Sequence, residues 1–295
     1  MKWFDYARPN SVPEAVRLLS EAGDRARMLA GGTDLLVQLR AGRKEADLVV
    51  DGKQIPELNE IRYESGKGLV LGAAVPCYQI YGEASLAKGY PALAEVASII
   101  GGTQIQGRAS IGGNLCNAAP SADSIPLLIA LRARCRIAGA AGAAEVAVED
   151  FCTAPGRTIL KPGEMLVSLV FPPPARGEGA CYLRFIPRNE MDIAVAGAGV
   201  SVVLDNGAIR SARIALASVA PTPLFVREAG DSLAGSPVAS SPAGEEAIER
   251  AAEIAGQAAR PITDMRGTME YRRHLCSVLV RRALRAAIDR ARAAL

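Results

Sequence analysis

Two glycine pairs constrain this chain more than any other feature of its sequence. The first stands in the run Leu29, Ala30, Gly31, Gly32, Thr33, Asp34, Leu35, Leu36; the second stands in Ser110, Ile111, Gly112, Gly113, Asn114. Each pair is followed by apolar residues at helical spacing. Glycine admits positive φ and lets a backbone or ligand approach where a Cβ would stand. Amide N–H groups in such a turn converge on an anion, and the start of a following helix favours a phosphate. Thr33 and Asn114 add a hydrogen-bonding side chain beside each pair. One such turn suits one phosphate; two opposed turns suit a pyrophosphate. For either pair alone, a plain structural turn is the commoner reading. Neither pair lies in GxxxxGK[ST], nor in GxGxxG after a first strand, which argues against a Walker-type NTPase and a Rossmann site.

Asp123 follows the second pair in the run LCNAAPSAD. Its carboxylate can accept hydrogen bonds from a ribose hydroxyl. It can equally cap the helix expected over SIPLLIALRA.

Side-chain acid–base chemistry is scarce. The chain has one histidine, His274, in a basic helical segment with no hydrolase-type nucleophile turn to serve. Its six cysteines, Cys77, Cys116, Cys135, Cys152, Cys181 and Cys276, are scattered without a CxxC. That spacing fits reduced thiols rather than a zinc or iron–sulfur site. A bound cofactor is then the expected carrier of any reaction. No run approaches the roughly 20 apolar residues that span a bilayer, and the N-terminus lacks a secretory h-region. The expectation is a cytoplasmic protein.

The 295 residues allow two or three domains. Residues 1–55 read as a small α/β unit: a capped helix over NSVPEAVRLLSEAG, a strand in RARMLAGG, a helix in TDLLVQLRAG and a strand in ADLVVDG. Residues 56–175 begin with the strand GLVLGAAV. Helical stretches PCYQIYGEASLA and YPALAEVASIIGG follow, then the second glycine pair, and the strand GEMLVSLVF ends on Pro172–Pro174. Residues 178–295 alternate β-branched residues with turn signals, Asp205-Asn206-Gly207 being the strongest. A short loop is expected over 234–245 before a helical end. The last 30 residues carry eight arginines against Glu270 and Asp289. Tyr271, Leu275, Val278, Leu279 and Leu284 give them an apolar stripe, as in a docked helix with a solvated arginine face. No aromatic and basic sheet pattern supports nucleic-acid binding.

The order AGGTDLL, TQIQGRASIGGNLCNAAPSADSIPLLIAL, GEMLVSLVFP, YLRFIPRNEMDIAVAGAGV and PITDMRGTMEYRRHL resembles the FAD-binding medium subunit of molybdenum hydroxylases, the xanthine dehydrogenase and carbon monoxide dehydrogenase family. The resemblance covers nearly the whole chain. It implies an α+β fold: a non-Rossmann FAD-binding unit of two subdomains, like that of vanillyl-alcohol oxidase, then a smaller α+β domain. Implied for the pyrophosphate are Leu29 to Leu36 and Ser110 to Asn114. Asp123 would hold the adenosine ribose, Leu166 the adenine end. Ile100, beside Gly101, would lie close to the flavin, and Thr103 is a further implied cofactor-binding residue. Arg184 stands where some relatives have a cofactor-contacting lysine, with Tyr182 as a neighbour. Val195 departs from relatives that carry lysine there. The extra cysteine cluster of the benzoyl-CoA reductase branch has no counterpart. The implied function is electron transfer from 2Fe–2S clusters of a small partner subunit, through FAD on this chain, to an external acceptor. A large partner would carry the molybdenum cofactor, in a heterotrimer that doubles. A stand-alone flavin oxidoreductase and a cofactor-less scaffold are the alternatives.

Overall fold

The computed structural model describes residues 1–238 and 241–295; of the loop expected over 234–245, Ala239 and Ser240 lie outside the described residues. The first elements are β1 (Asp5–Ala7), α1 (Val12–Ala22), β2 (Ala26–Leu29), α2 (Leu35–Arg40), β3 (Leu48–Asp51) and α3 (Pro56–Asn59). Ser11 caps α1 by accepting from Glu14 N–H, Pro13 sits in its first turn, and Gly23 ends it at φ 56°. The strands form a parallel sheet in the order β1-β3-β2. β1 has no pattern of its own to announce it: it is three residues long and mostly exposed, and exists through pairing with β3.

Asp51 ends β3 only 2% exposed. It is held by Lys53, whose Nζ and N–H donate at 2.6 and 3.0 Å, and by the Tyr6 hydroxyl. Burial opposes its charge, but these hydrogen bonds outweigh burial and hold the carboxyl below the ordinary range.

The second set comprises β4 (Ile61–Glu64), β5 (Gly68–Gly72), α4 (Cys77–Gly82), α5 (Ala84–Gly89), α6 (Pro91–Ser98), α7 (Thr103–Gln106), α8 (Ile111–Asn117) and α9 (Ser124–Ala130). It continues with β6 (Arg134–Gly139), β7 (Gly142–Ala147), the short pair β8 (Cys152–Ala154) and β9 (Arg157–Thr158), and β10 (Met165–Phe171). Five strands make an antiparallel sheet in the order β4-β5-β10-β6-β7. The helix expected over PCYQIYGEASLA is two helices. Glu83 leaves helical backbone and accepts from Ser85 N–H, ending α4 and capping α5.

The third set is β11 (Glu178–Phe185), β12 (Ala196–Asp205), β13 (Ala208–Ala217), β14 (Leu224–Phe225), α10 (Arg227–Asp231), α11 (Pro242–Ala258) and α12 (Met269–Ala293). Its four-stranded antiparallel sheet has consecutive order. Asn206 and Gly207 both take positive φ between β12 and β13, as a tight hairpin requires.

Every residue of α9 is buried, because it packs between the second unit's core and β12 and β13 of the third sheet. Tyr182 and Ala215 of that sheet join the second unit's core. The arginines of α12 form a solvated face only in part: Arg282, Arg285 and Arg292 are exposed, while others are buried or paired. Arg281 and Arg285 pair with Glu249 and Glu245 of α11, Arg290 pairs with Glu95 of α6, and Arg272 is buried. The helix is tied by charge to its neighbours as well as by its apolar stripe. Among the described residues, no helix is long and apolar enough to cross a membrane.

All six cysteines are free thiols. Burial pushes Cys77, Cys116 and Cys276 up to about 12 and Cys152 to about 11, so none is a thiolate nucleophile near neutral pH.

Candidate cofactor site

The two glycine segments, distant in sequence, meet in space. Gly31 faces the backbone of Arg108 and Ala109, directly before the second segment. A Cβ on Gly31 would stand 1.8 Å from the Arg108 carbonyl oxygen, so only glycine allows this approach. Arg108 Nε donates back to Gly31 O at 3.4 Å. Gly32 takes φ +81° and turns the chain into α2. Leu36 N–H donates to Gly32 O and Gln38 N–H to Asp34 O, while the amides of Thr33, Asp34 and Leu35 have no acceptor among the described residues.

The second segment differs from the expected turn. Gly112 and Gly113 lie inside the first turn of α8, and neither takes positive φ. The helix start, rather than a left-handed turn, is what this sequence builds. Gly112 is there for closeness: its Cβ would fall 2.4 Å from the Ala73 carbonyl oxygen. Ser110 caps the helix, its Oγ accepting from Gly113 N–H at 3.0 Å. The amides of Ile111 and Gly112 then have no intrahelical acceptor. Ser110→Ala is expected to lose about 1 kcal/mol of stability, read as a lower urea midpoint; an unchanged midpoint would mean the cap contributes nothing.

Between the segments lies a cavity of about 540 Å³, within the range of small-molecule and cofactor sites. Ala30 to Leu35 form one wall; Ser110, Gly112, Gly113 and Asn114 form the facing one. Ile100, Gly101, Asp123 and Leu166 also line it. Five predicted residues do not. Leu29 and Ile111 point into apolar cores, Leu36 is 41% exposed, and Thr103 is exposed at the start of α7. Arg184 reaches the wall only through Asp123. Asn114 lines the cavity, but its Oδ1 already accepts from Ser124 Oγ at 2.7 Å.

Asp123 stands at the N-terminus of α9 and its side chain caps nothing. Its carboxylate instead accepts from Arg184 Nη1 and, at 2.8 Å, from the Tyr182 hydroxyl. The Arg184 and Asp123 side chains are 10% and 13% exposed. Burial pushes the Asp123 carboxyl above its ordinary range, with Arg184 and Tyr182 countering it. Burial first, then the Asp123 charge, raises the Tyr182 phenol well above its usual value.

Other wall residues carried no signal in the sequence. Gln38 and Asn117 lie on α2 and α8, past the glycines, and join through Gln38 Nε2 to Asn117 Oδ1 at 2.8 Å. Lys44 and Cys116 sit beside them. Asp192 and Ile193, from the segment between β11 and β12, close another side. Only the periodicity of α2 and α8 could have placed Gln38 and Asn117 near the glycines. The approach of 192–193 is purely tertiary.

A cavity framed by two glycine segments at helix starts has the form of a nucleotide-cofactor site. Residues 2–174 match the family described as the FAD binding domain in molybdopterin dehydrogenase, and residues 181–287 the CO dehydrogenase flavoprotein C-terminal domain. The carbon monoxide dehydrogenase medium chain of Afipia carboxidovorans is 35% identical over 289 residues, with 98% of each chain covered. The xanthine dehydrogenase FAD-binding subunit of Escherichia coli O157:H7 is 31% identical, with 97% of each covered. The carbon monoxide dehydrogenase of Hydrogenophaga pseudoflava, solved without the Mo-pyranopterin moiety of its molybdenum cofactor, superposes with a TM-score of 0.92 at 32% identity over 98% of both chains. The chain belongs to the family of FAD-binding medium subunits of molybdenum hydroxylases. It is an oxidoreductase subunit whose own cofactor is FAD, on a mixed helix and sheet fold.

Proposed function

We propose that this chain transfers electrons within a multi-subunit molybdenum hydroxylase, between 2Fe–2S clusters of a small partner subunit and an external acceptor. The observation that carries it is the cavity wall: Gly31 and Gly112 leave no room for a Cβ, and both helix starts beside them present unpaired amides. Such a wall suits a pyrophosphate. In this reading the amides of Gly32 to Leu35 and of Ile111 and Gly112 hold the pyrophosphate. Asp123 accepts from a ribose hydroxyl, Leu166 meets the adenine end, and Ile100 and Gly101 lie beside the flavin. Arg184 and Tyr182 act by holding the Asp123 carboxylate. FAD, when bound, supplies the redox chemistry, exchanging single electrons with one-electron carriers and pairs with two-electron acceptors. The chain's own residues bind and orient; none needs to move a proton.

The same reading divides the chain at 1–55, 56–175 and 178–295, with the first two as the subdomains of a vanillyl-alcohol-oxidase-like FAD unit. The three larger sheets, one in each segment, support that division. A large subunit would carry the molybdenum cofactor, and two heterotrimers would associate in the cytoplasm. The relatives' designations as medium chain and FAD-binding subunit support a multi-subunit assembly.

The visible spectrum of the purified full chain tests the cofactor assignment. A flavin spectrum, with about one FAD released per chain on denaturation, is the expected result. A folded chain that stays colourless after incubation with FAD would overturn the reading.

A further inference from the structure

Arg272, on α12, is only 4% exposed. Its Nη1 donates to the carbonyls of Val195 at 3.0 Å and Ser218 at 3.1 Å, and its Nη2 donates to Asp264 Oδ1 at 2.6 Å. Among the described residues its Nε is buried without a partner, as is the Ser218 hydroxyl, and Ser218 takes φ +67°. Replacing a buried ion pair by apolar residues is often neutral or stabilising. Stability therefore does not explain a buried guanidinium with an unpaired nitrogen. Its connections do.

Both carbonyls lead to the cavity. Val195 follows Asp192 and Ile193, which line it, and its N–H donates to Phe185 O at 2.9 Å, next to Arg184. Ser218 N–H donates to Pro120 O at 2.8 Å, and Ser121, Ala122 and Asp123 come next on the wall. One planar group bridges the roots of two wall segments, and Asp264 orients it. A lysine ammonium, a point charge on a flexible stem, lacks the rigid fork needed to hold all three acceptors in one plane.

We propose that Arg272 is a positioning residue for the cofactor cavity, holding the 192–195 segment and the 120–123 segment in fixed register from the C-terminal helix. This role rests on the FAD reading above. It makes α12 part of the cavity's support without lining the cavity itself.

The test uses the full-length chain as wild type, R272K, R272A and R285A. Arg285 lies on the same helix but pairs only with α11. Three quantities are read for each: the urea midpoint, the Kd for FAD of the apoprotein, and the visible circular dichroism of the bound flavin. R272K is expected to fold, to bind FAD about tenfold more weakly, in the range of ordinary coupling between sites, and to change the flavin dichroism. R272A is expected to lose more affinity and to regain part of it with millimolar guanidinium but not with sodium chloride. R285A should move only the urea midpoint.

An R272K chain with wild-type Kd and dichroism would overturn the proposal. So would an R272K chain that cannot fold, which would assign Arg272 to the fold alone, or an equal loss in R285A. A wild-type chain that takes up no FAD would overturn the cofactor reading itself, and that outcome is visible before any variant is compared.

Discussion

Gly31→Ala is expected to produce a chain that retains no flavin. The added Cβ would stand 1.8 Å from the Arg108 carbonyl oxygen and 2.4 Å from its carbon. Both are backbone atoms, so no rotamer change relieves the clash; the two segments must separate. Overpacking of this kind costs about 3 kcal/mol, and each 1.4 kcal/mol lost from the bound state is tenfold in affinity. A drop of roughly a hundredfold in FAD affinity follows if most of that strain falls on the cavity. Gly113→Val should also give folded, colourless protein, because the new Cβ would press on the capping Ser110 Oγ at 2.9 Å. Gly42 is the control. It takes φ +68° with open space around it, so Gly42→Ala should cost about 1 kcal/mol of left-handed strain and leave flavin in place. Flavin absorbance per chain, with the urea midpoint alongside, reads all three. A yellow, stoichiometric Gly31→Ala chain would dissolve the link between the two segments and the cofactor.

Asp123→Ala carries the second large effect. It strips the partner from Arg184 and from the buried Tyr182 hydroxyl at the junction of α9 and β11. Removing one member of a buried pair typically costs about 3–5 kcal/mol, which a urea titration resolves easily. Asp123→Asn keeps the shape and an acceptor oxygen and should recover part of the loss. The pH dependence separates charge from packing. Because burial raises the Asp123 carboxyl above its ordinary 3.8, the folded chain binds a proton that the unfolded chain has released. This group's contribution to stability therefore falls as pH rises from 3.8 through the raised folded value. Above that value the carboxylate is ionised and paired with Arg184. Asp123→Asn should lose this portion of the pH profile. An Asp123→Ala chain with the wild-type urea midpoint would show that Arg184 and Tyr182 find other partners.

The sequence was most legible where structure is local. α1 follows from Ser11, Pro13 and Gly23; the β12–β13 hairpin follows from Asn206 and Gly207; β10 ends where prolines begin. The glycine pairs marked, through their composition, two segments that line one cavity. What they could not announce was that Gly112 and Gly113 sit within a helix, or that Gly31 is required by Arg108. The caps, turn residues and periodicities of 10–23 and 205–207 act over a few residues, so the chain alone determined them. The cavity arises where Gly31 meets Arg108, Asp123 meets Tyr182 and Arg184, and Arg272 meets Val195 and Ser218. Those groups come within bonding distance only when the three larger sheets pack, because their closeness depends on excluded volume and burial across the whole fold. The chain by itself determined the capped helix and the tight hairpin; only the tertiary structure decided β1, which exists by pairing with β3, and which backbone and side-chain groups line the cavity.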